Sequence, residues 1–246
     1  MVVEGIQYTL LGSRTLKKGL QGSDVELVQY FLKTLPEPIG TPGLKVDGVF
    51  GPATEMAVMK FQRYFKLEVD GIVGKNTFLF LGVPTGPYLP YGAQLFGSRV
   101  LKLGSSGYDV GVLQNRLAST AKKYALALGV PATKYFDERT ERAVKLFQKD
   151  VCLAPDGIVG PATVYQLYRY TTMGSRLLQR GRWDRNQGYD VYWLQRHLKE
   201  MGYYQDSLDG IFGPLTRNAV IELQKKSNIA VDGIVGPQTY FHLAVS

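Results

Sequence analysis

Five aspartates recur in one short pattern and are the first residues to examine for chemistry. The pattern is Asp-Gly, two apolar residues, Gly and, at its eighth position, Thr; it begins at Asp47, Asp70, Asp156, Asp209 and Asp232. Two carboxylates flanking a cleft could hydrolyse a glycosidic bond. Asp209 and Asp232 are the candidate pair, but the same aspartates recur elsewhere in the chain. This repetition favours a structural role in a turn.

Two histidines and one cysteine are the other candidates for catalysis. A catalytic zinc is held by His, carboxylate or Cys side chains, and a catalytic thiol needs a neighbouring base. His197, His242 and Cys152 are isolated in the sequence, and no Gly-x-Ser-x-Gly motif or phosphate-binding loop is present. We therefore expect no catalytic residue, no metal site, no cofactor and a protein that is not an enzyme.

The recurring pattern is typical of a turn that starts a helix. Asp can accept hydrogen bonds from downstream amides, the first Gly can take a positive φ, and the second Gly precedes a position that suits Pro. Four copies have this proline, as Pro52, Pro161, Pro214 and Pro237. A glutamine also follows each apolar helix stripe, where we expect it to satisfy buried loop backbone. These glutamines are Gln29, Gln62, Gln114, Gln148, Gln195 and Gln224.

A sixth, altered copy of the turn lies at Thr133–Thr140. With it, the turns come in pairs 23 residues apart, which divides the chain into three units. We place unit one at residues 1–86, unit two at 87–171 and unit three at 172–246. Apolar residues spaced by three and four predict a first helix in each unit, starting near Asp24, Asp109 and Asp190. The two turns of a unit each start a further helix. The prediction is an all-α fold of three tandem three-helix bundles with short extended opening segments.

The connections between the units differ in composition. Residues 82–92 contain three prolines, which predict a stiff, extended spacer between units one and two. Only residues 169–173 separate units two and three. This short connection predicts that those two units pack closely.

These motifs together resemble the peptidoglycan-binding-domain-1 family. The resemblance rests on Gly-x-Asp-Val with Leu-Gln in the first helix, Asp-Gly-x-Phe-Gly-Pro-x-Thr, a helix with Ala-Val and Phe-Gln, and the closing Asp-Gly-Ile-Val-Gly-Pro-x-Thr. Residues 178–243 match best, apart from an insertion at 182–187. In unit two, Thr133-Lys-Tyr replaces Asp-Gly-x and Asp137-Glu replaces Gly-Pro, so we expect its first turn to be built differently.

The resemblance implies an accessory role, in which such a domain holds a cell-wall hydrolase, phage lysin or spore-cortex enzyme on its polymer. A stem-peptide carboxylate could bind at the helix N-termini after the turns, which makes Asp47, Gly48, Asp209 and Gly210 candidate binding residues.

Aromatic residues outside the helix stripes are the second set of candidates. Their faces could pack on sugar rings, and nearby arginines could bind anionic groups, which would make a glycan groove. The alternative is that some of them pack between units two and three. This set comprises Arg182, Trp183, Arg185, Tyr189, Tyr192, Trp193, Tyr203 and Tyr204.

Charge and hydropathy restrict the classes of partner that the protein could bind. The net charge of +8, concentrated in unit two, favours an anionic partner, but no nucleic-acid-binding motif accompanies it. No apolar run is long enough to span a membrane. No signal peptide is visible. The chain is therefore exported another way, has lost its leader, is phage-encoded or acts inside the cell. From the resemblance we expect an extracellular protein of the cell wall or spore envelope.

We therefore expect non-catalytic binding of peptidoglycan, through its glycan strand or stem peptide, that targets an associated hydrolase or particle to the wall. Three linked modules would raise avidity on a repeating polymer. The alternative is a structural or assembly protein of a phage, spore or secretion apparatus that uses the modules for protein contacts. The oligomeric state is open.

Overall fold

Helices make up the regular secondary structure of the part of the chain that the computed structural model describes, residues 8–35, 37–85, 95–171, 173, 178–181 and 190–245. This confirms the predicted all-α fold. Units one and three each have three helices within these ranges, and unit two has a fourth, short one. The helices are α1 (Ser23–Thr34), α2 (Pro52–Tyr64), α3 (Lys75–Thr85), α4 (Tyr108–Thr120), α5 (Lys122–Leu128), α6 (Glu138–Asp150), α7 (Pro161–Tyr170), α8 (Asp190–Glu200), α9 (Pro214–Lys226) and α10 (Pro237–Val245).

Each opening segment pairs with the second turn of its own unit through one antiparallel bridge. The bridges join Leu16 to Val73, Leu101 to Val159 and Leu178 to Val235. All six side chains are buried. The start of each unit is therefore fixed to the turn that begins its last helix. None of the described helices is both long and apolar enough to cross a membrane.

Glycine and proline set the starts of the helices that follow the turns. Gly51, Gly160 and Gly213 are the N-caps of α2, α7 and α9, and a proline follows each of them. A proline in the first turn of a helix loses no backbone hydrogen bond, and its fixed φ already suits a helix.

Units one and two share a single hydrophobic core. It runs from Leu11 to Tyr168, whereas a second core, from Met173 to Leu243, lies in unit three. Helix α3 continues to Thr85, so the prediction of an extended spacer is wrong for residues 82–85; residues 86–92 of that spacer lie outside the described ranges.

Polar contacts also join units one and two. The Tyr165 hydroxyl donates to the Glu26 carboxylate and accepts from Arg169 Nη1 at 2.7 Å. Burial and the bond to Glu26 raise the pKa of Tyr165 to about 12, so this hydroxyl keeps its proton at neutral pH.

Units two and three also pack against each other, as the short connection predicts. Helix α10 of unit three contacts α4 and α5 of unit two. The buried Arg116 guanidinium donates from Nη1 to the Thr171 carbonyl at 2.6 Å and to the Thr171 hydroxyl at 2.8 Å. It also lies 4.6 Å from the Tyr168 ring centroid. Arg116 thereby fixes the backbone at the start of the connection to unit three.

Gly97 lies where the opening segment of unit two packs against α7, and it provides a test of that packing. Its φ is +95°, and a Cβ there would lie 2.7 Å from Val164 Cγ1. Gly104 has a similar φ of +87° but nothing within 4 Å of its Cβ position. We predict that Gly97→Ala lowers the free energy of unfolding by about 1–3 kcal/mol more than Gly104→Ala, because it adds a clash to the same backbone strain. Urea denaturation of both variants measures the difference, and equal losses would contradict the tight packing of Gly97 against α7.

Candidate functional site

A buried glutamine holds each turn in place, as the site in unit three illustrates. The Gln195 amide nitrogen donates to Asp209 Oδ1 at 2.6 Å, to the Ile211 carbonyl at 3.1 Å and to Thr216 Oγ1 at 3.0 Å. Its amide oxygen accepts from the Gly210 N–H at 2.9 Å. One side chain therefore satisfies the turn aspartate, two buried backbone groups and the first turn of the next helix. We call this arrangement the glutamine clamp.

The clamp recurs at every turn of the three units. Gln29 and Gln62 make it in unit one, Gln148 at the second turn of unit two, and Gln224 at the second turn of unit three. All six clamp glutamines are at most 3% exposed. Their amides satisfy buried loop backbone, as the sequence analysis expects.

The altered first turn of unit two keeps the clamp with different residues. The Gln114 amide oxygen accepts from the Thr133 and Lys134 N–H groups at 2.9 Å, and its nitrogen donates to Thr133 Oγ1 at 3.1 Å. Lys134 takes the positive φ, +63°, that glycine takes elsewhere. Asp137 caps α6 by accepting from the Thr140 N–H. The turn is thus built from other side chains, as predicted, yet its hydrogen bonds to the glutamine are kept.

The four candidate binding residues in the turns all make hydrogen bonds to a clamp glutamine. Asp47 Oδ1 accepts from Gln29 Nε2 at 2.9 Å and from the Val49 N–H at 3.0 Å, and these bonds lower the pKa of Asp47. Asp209 makes the corresponding bonds. Gly48 and Gly210 are buried, with φ of +72° and +67°. A ligand role for these four residues stays a prediction.

Unit three contains an open groove between the connection that follows α8 and the first half of α9. The groove has a volume of about 540 Å³. Aromatic and apolar groups from Tyr203, Tyr204 and Leu215 lie beside the buried Ala219, with polar side chains around them. The polar lining residues are Gln205, Asp206, Asn218 and Glu222.

The two tyrosines of the groove differ in burial. Tyr204 is 4% exposed; its hydroxyl donates to the Ser207 carbonyl at 2.9 Å and accepts from the clamp glutamine Gln195. Burial raises the pKa of Tyr204. Tyr203 is only partly buried. The clamp therefore positions Tyr204, and the adjacent Tyr203 presents a ring to the groove.

The other aromatic residues of the predicted set that the structure describes, Tyr192 and Trp193, are not among the lining residues of this groove. Tyr192 and Trp193 lie on α8, with ring centroids 6.1 Å apart. Arg196 packs over Trp193 at 4.9 Å, and Trp193 also packs against the core of unit three. Arg182, Trp183, Arg185 and Tyr189 lie outside the described residues. Of the aromatic set, the structure thus brings Tyr203 and Tyr204 together in the groove.

Six lining residues were not predicted as site residues from the sequence; one of them, Ala219, belongs to the apolar stripe of α9, and the other five are more exposed. They come from α9 and from the connection before it: Gln205, Asp206, Leu215, Asn218 and Glu222. The sequence carries a signal for Leu215, because it is a leucine outside the apolar stripe of its helix. In the structure its side chain is 55% exposed. The equivalent positions of the other units hold Ala53 and Arg139. The remaining four are ordinary surface residues in the sequence.

Comparison with known families agrees with the repeats. The sequence model of the putative peptidoglycan binding domain family matches at residues 21–81, 106–167 and 187–243. Together these segments make up more than half of the chain. The chain belongs to the peptidoglycan-binding domain family. It carries three copies of this domain in tandem.

The relatives of these peptidoglycan-binding domains include wall-lytic enzymes. An N-acetylmuramoyl-L-alanine amidase of Mycobacterium tuberculosis, CwlM, is 38% identical over 109 residues, 44% of this chain and 27% of the amidase. The amidase CwlL of Bacillus licheniformis is 28% identical over 200 residues, 71% of this chain and 52% of that protein. The crystal structure of the SleB N-terminal domain is 39% identical and covers 27% of this chain and 86% of its own, with a TM-score of 0.25.

These relatives overturn one prediction. The expectation that the protein is not an enzyme is contradicted, because the relatives are named N-acetylmuramoyl-L-alanine amidases. The chain spans about half or less of the length of these relatives. The matched segments are the peptidoglycan-binding domains. The amidase activity in the names of these relatives therefore describes the relatives themselves.

The glutamine clamp predicts that replacing one buried side-chain amide strongly lowers the stability of the protein. We expect Gln195→Met to lower the free energy of unfolding by about 2–5 kcal/mol, because it leaves buried backbone groups of the Asp209 turn without partners. Gln238→Met, at an exposed position of α10, is the matched control and should change stability by less than about 0.5 kcal/mol. Urea denaturation compares the two, and similar stabilities would refute the clamp.

Proposed function

We propose that this chain binds bacterial cell-wall peptidoglycan and attaches an associated hydrolase or particle to the wall. The observation that carries the proposal is the match to three peptidoglycan-binding domains. We assign the groove of unit three as the surface that contacts the polymer. The glycan strand is the part of the polymer that we place in this groove.

The lining of the groove favours a sugar as the ligand. The Tyr203 ring and the exposed Leu215 side chain offer an apolar surface for the face of a sugar ring. The Asn218 amide can both donate to and accept from an acetamido group, and the Asp206 and Glu222 carboxylates can accept from hydroxyl groups. This mixture of an apolar floor and a polar rim is typical of small-molecule sites.

The charges around the groove disfavour a free stem-peptide carboxylate. Its described lining residues include Asp206 and Glu222 but no arginine or lysine. Glu222 is paired with the neighbouring Lys225 at 2.9 Å, and Lys199 donates to the Asp206 carbonyl at 2.9 Å. An incoming carboxylate would meet two acceptors of like charge, whereas a neutral N-acetylated sugar would meet usable hydrogen-bond partners.

The relatives support the targeting part of the proposal. They include amidases and a spore cortex-lytic enzyme of Bacillus cereus, which is 34% identical over 98 residues. Their matched parts correspond to the peptidoglycan-binding domains of this chain. A chain of such domains would place a lytic activity or a particle on its polymer, in the cell wall or spore envelope.

Cosedimentation with purified sacculi tests the proposed function. We expect the wild-type chain to pellet with sacculi, and soluble oligomers of β-1,4-linked N-acetylglucosamine to release it. Tyr203→Ala should weaken binding about tenfold, which corresponds to about 1.4 kcal/mol of lost contact. Tyr170→Ala removes a tyrosine that is 61% exposed outside the groove, so it should leave binding unchanged.

Two outcomes would contradict the proposal. A wild-type chain that stays in the supernatant at low salt would refute wall binding and would favour the assembly role. Sacculus binding that the sugar oligomers do not displace, or that Tyr203→Ala does not weaken, would refute the glycan groove. Circular dichroism of both variants verifies that each is folded.

A further inference from the structure

We infer that the groove of unit three binds a glycan strand most tightly where the strand carries a glucosamine without its acetyl group, because such a sugar presents an ammonium group. This inference rests on the proposed function, which assigns the glycan strand to the groove. It adds the form of the sugar that the lining side chains suit best. The observation behind it is the one-sided charge of the lining.

The described lining of the groove has two carboxylates and no positively charged side chain. Asp206 comes from the connection after α8, Glu222 comes from α9, and both are exposed. An acetamido group is neutral and offers one donor and one acceptor. An ammonium group offers three donors and a positive charge, and hydrogen bonds to charged groups are roughly twice as strong as those between neutral groups. The lining therefore favours the sugar that lacks the acetyl group.

Two lysines lie beside the groove, and they leave its carboxylates available. Lys225 pairs with Glu222 at 2.9 Å, but both side chains are 58% exposed, and an exposed pair of this kind contributes little stability. Lys199 Nζ donates to the backbone carbonyl of Asp206 at 2.9 Å. Asp206 Oδ1 accepts from the Ser207 N–H at 2.7 Å, which leaves Oδ2 as an acceptor. A ligand ammonium can therefore bond to Asp206 and replace Lys225 at Glu222.

The other polar and aromatic groups of the lining suit the same ligand. The face of the Tyr203 ring attracts a cation as well as the apolar face of a sugar. Gln205 and Asn218 are exposed amides whose oxygens accept from N–H donors. Because the groove is open, an ammonium group in it stays partly hydrated, so binding does not require the large cost of burying a charge.

The carboxylate on α9 distinguishes unit three from the other two units. Counted from the clamp threonine of each first turn, the position of Glu222 corresponds to Lys60 in unit one and to Leu146 in unit two. The connection that carries Asp206 has 8 residues, whereas the corresponding connections of units one and two have 12 each. A substitution of Glu222 therefore removes a charge that the corresponding positions of the other units lack.

Calorimetric titration with two sugar tetramers tests the inference. The ligands are the β-1,4-linked tetramers of glucosamine and of N-acetylglucosamine, at a mildly acidic pH that protonates the sugar amines. We expect the wild-type chain to bind the glucosamine tetramer about tenfold more tightly. Glu222→Gln should lower the affinity for the glucosamine tetramer about tenfold and change that for the acetylated tetramer by less than about twofold, because glutamine keeps an acceptor oxygen and loses the charge.

Glu200→Gln is the matched control. Glu200 is 57% exposed on α8, pairs with Arg196 at 2.9 Å and is not among the described lining residues of the groove. Its substitution removes the same charge and the same kind of exposed pair, so it should change both affinities by less than about twofold. Nα-acetyl-lysine amide presents an ammonium group without a sugar ring and should bind at least about tenfold more weakly than the glucosamine tetramer. Circular dichroism verifies that both variants are folded.

The outcomes separate this inference from the proposed function. If the wild-type chain binds neither sacculi nor either tetramer, the proposed function fails and the inference fails with it. If it binds sacculi, and binds the acetylated tetramer at least as tightly as the glucosamine tetramer, the inference alone is overturned. Equal affinities of Glu222→Gln and Glu200→Gln for the glucosamine tetramer would also overturn it, since any preference would then arise outside the groove. Equal affinities of acetyl-lysine amide and the glucosamine tetramer would do the same, since the ligand would then be an amine without the sugar.

Discussion

The buried glutamine amide is the interaction on which each domain depends. A tight turn between two helices leaves backbone N–H and C=O groups inside the protein, where each unpaired group would destabilise the fold by about 1–3 kcal/mol. Gln195 satisfies the Gly210 N–H and the Ile211 carbonyl with one side chain, and it also binds Asp209 and Thr216. Both ends of the turn are thereby fixed to the preceding helix, which determines where the next helix begins.

Fixing the turn leaves the connection before it free to vary in length and structure. Unit one uses that freedom for a loop bonded to Lys60, and unit two uses it for α5. Unit three has a shorter connection, and the exposed surface beside Tyr203 is the result. A conserved set of hydrogen bonds within the chain thus supports three different surfaces. The turns that identify the family therefore do not determine the surface that each domain presents.

The fold could be predicted because its signals are local and repeated. The turn pattern, the helix spacing and the glutamines predict three helices per unit and the role of Gln195. The groove could be predicted only in part, since Tyr203 and Tyr204 stand out as aromatic residues whereas Asn218 and Glu222 do not. The structures of the two longer connections depend on contacts between distant residues, such as Tyr124 with Phe147. Connections of equal length therefore form a loop in unit one and helix α5 in unit two.

Hydrogen exchange of the chain bound to insoluble sacculi, followed by mass spectrometry, tests the central claim most directly. Bound polymer should slow exchange in residues 201–208 and 214–222 of unit three. Exchange should be unchanged in α7, residues 161–170, which lies outside the groove. Protection that spares residues 201–208 and 214–222 would contradict the account.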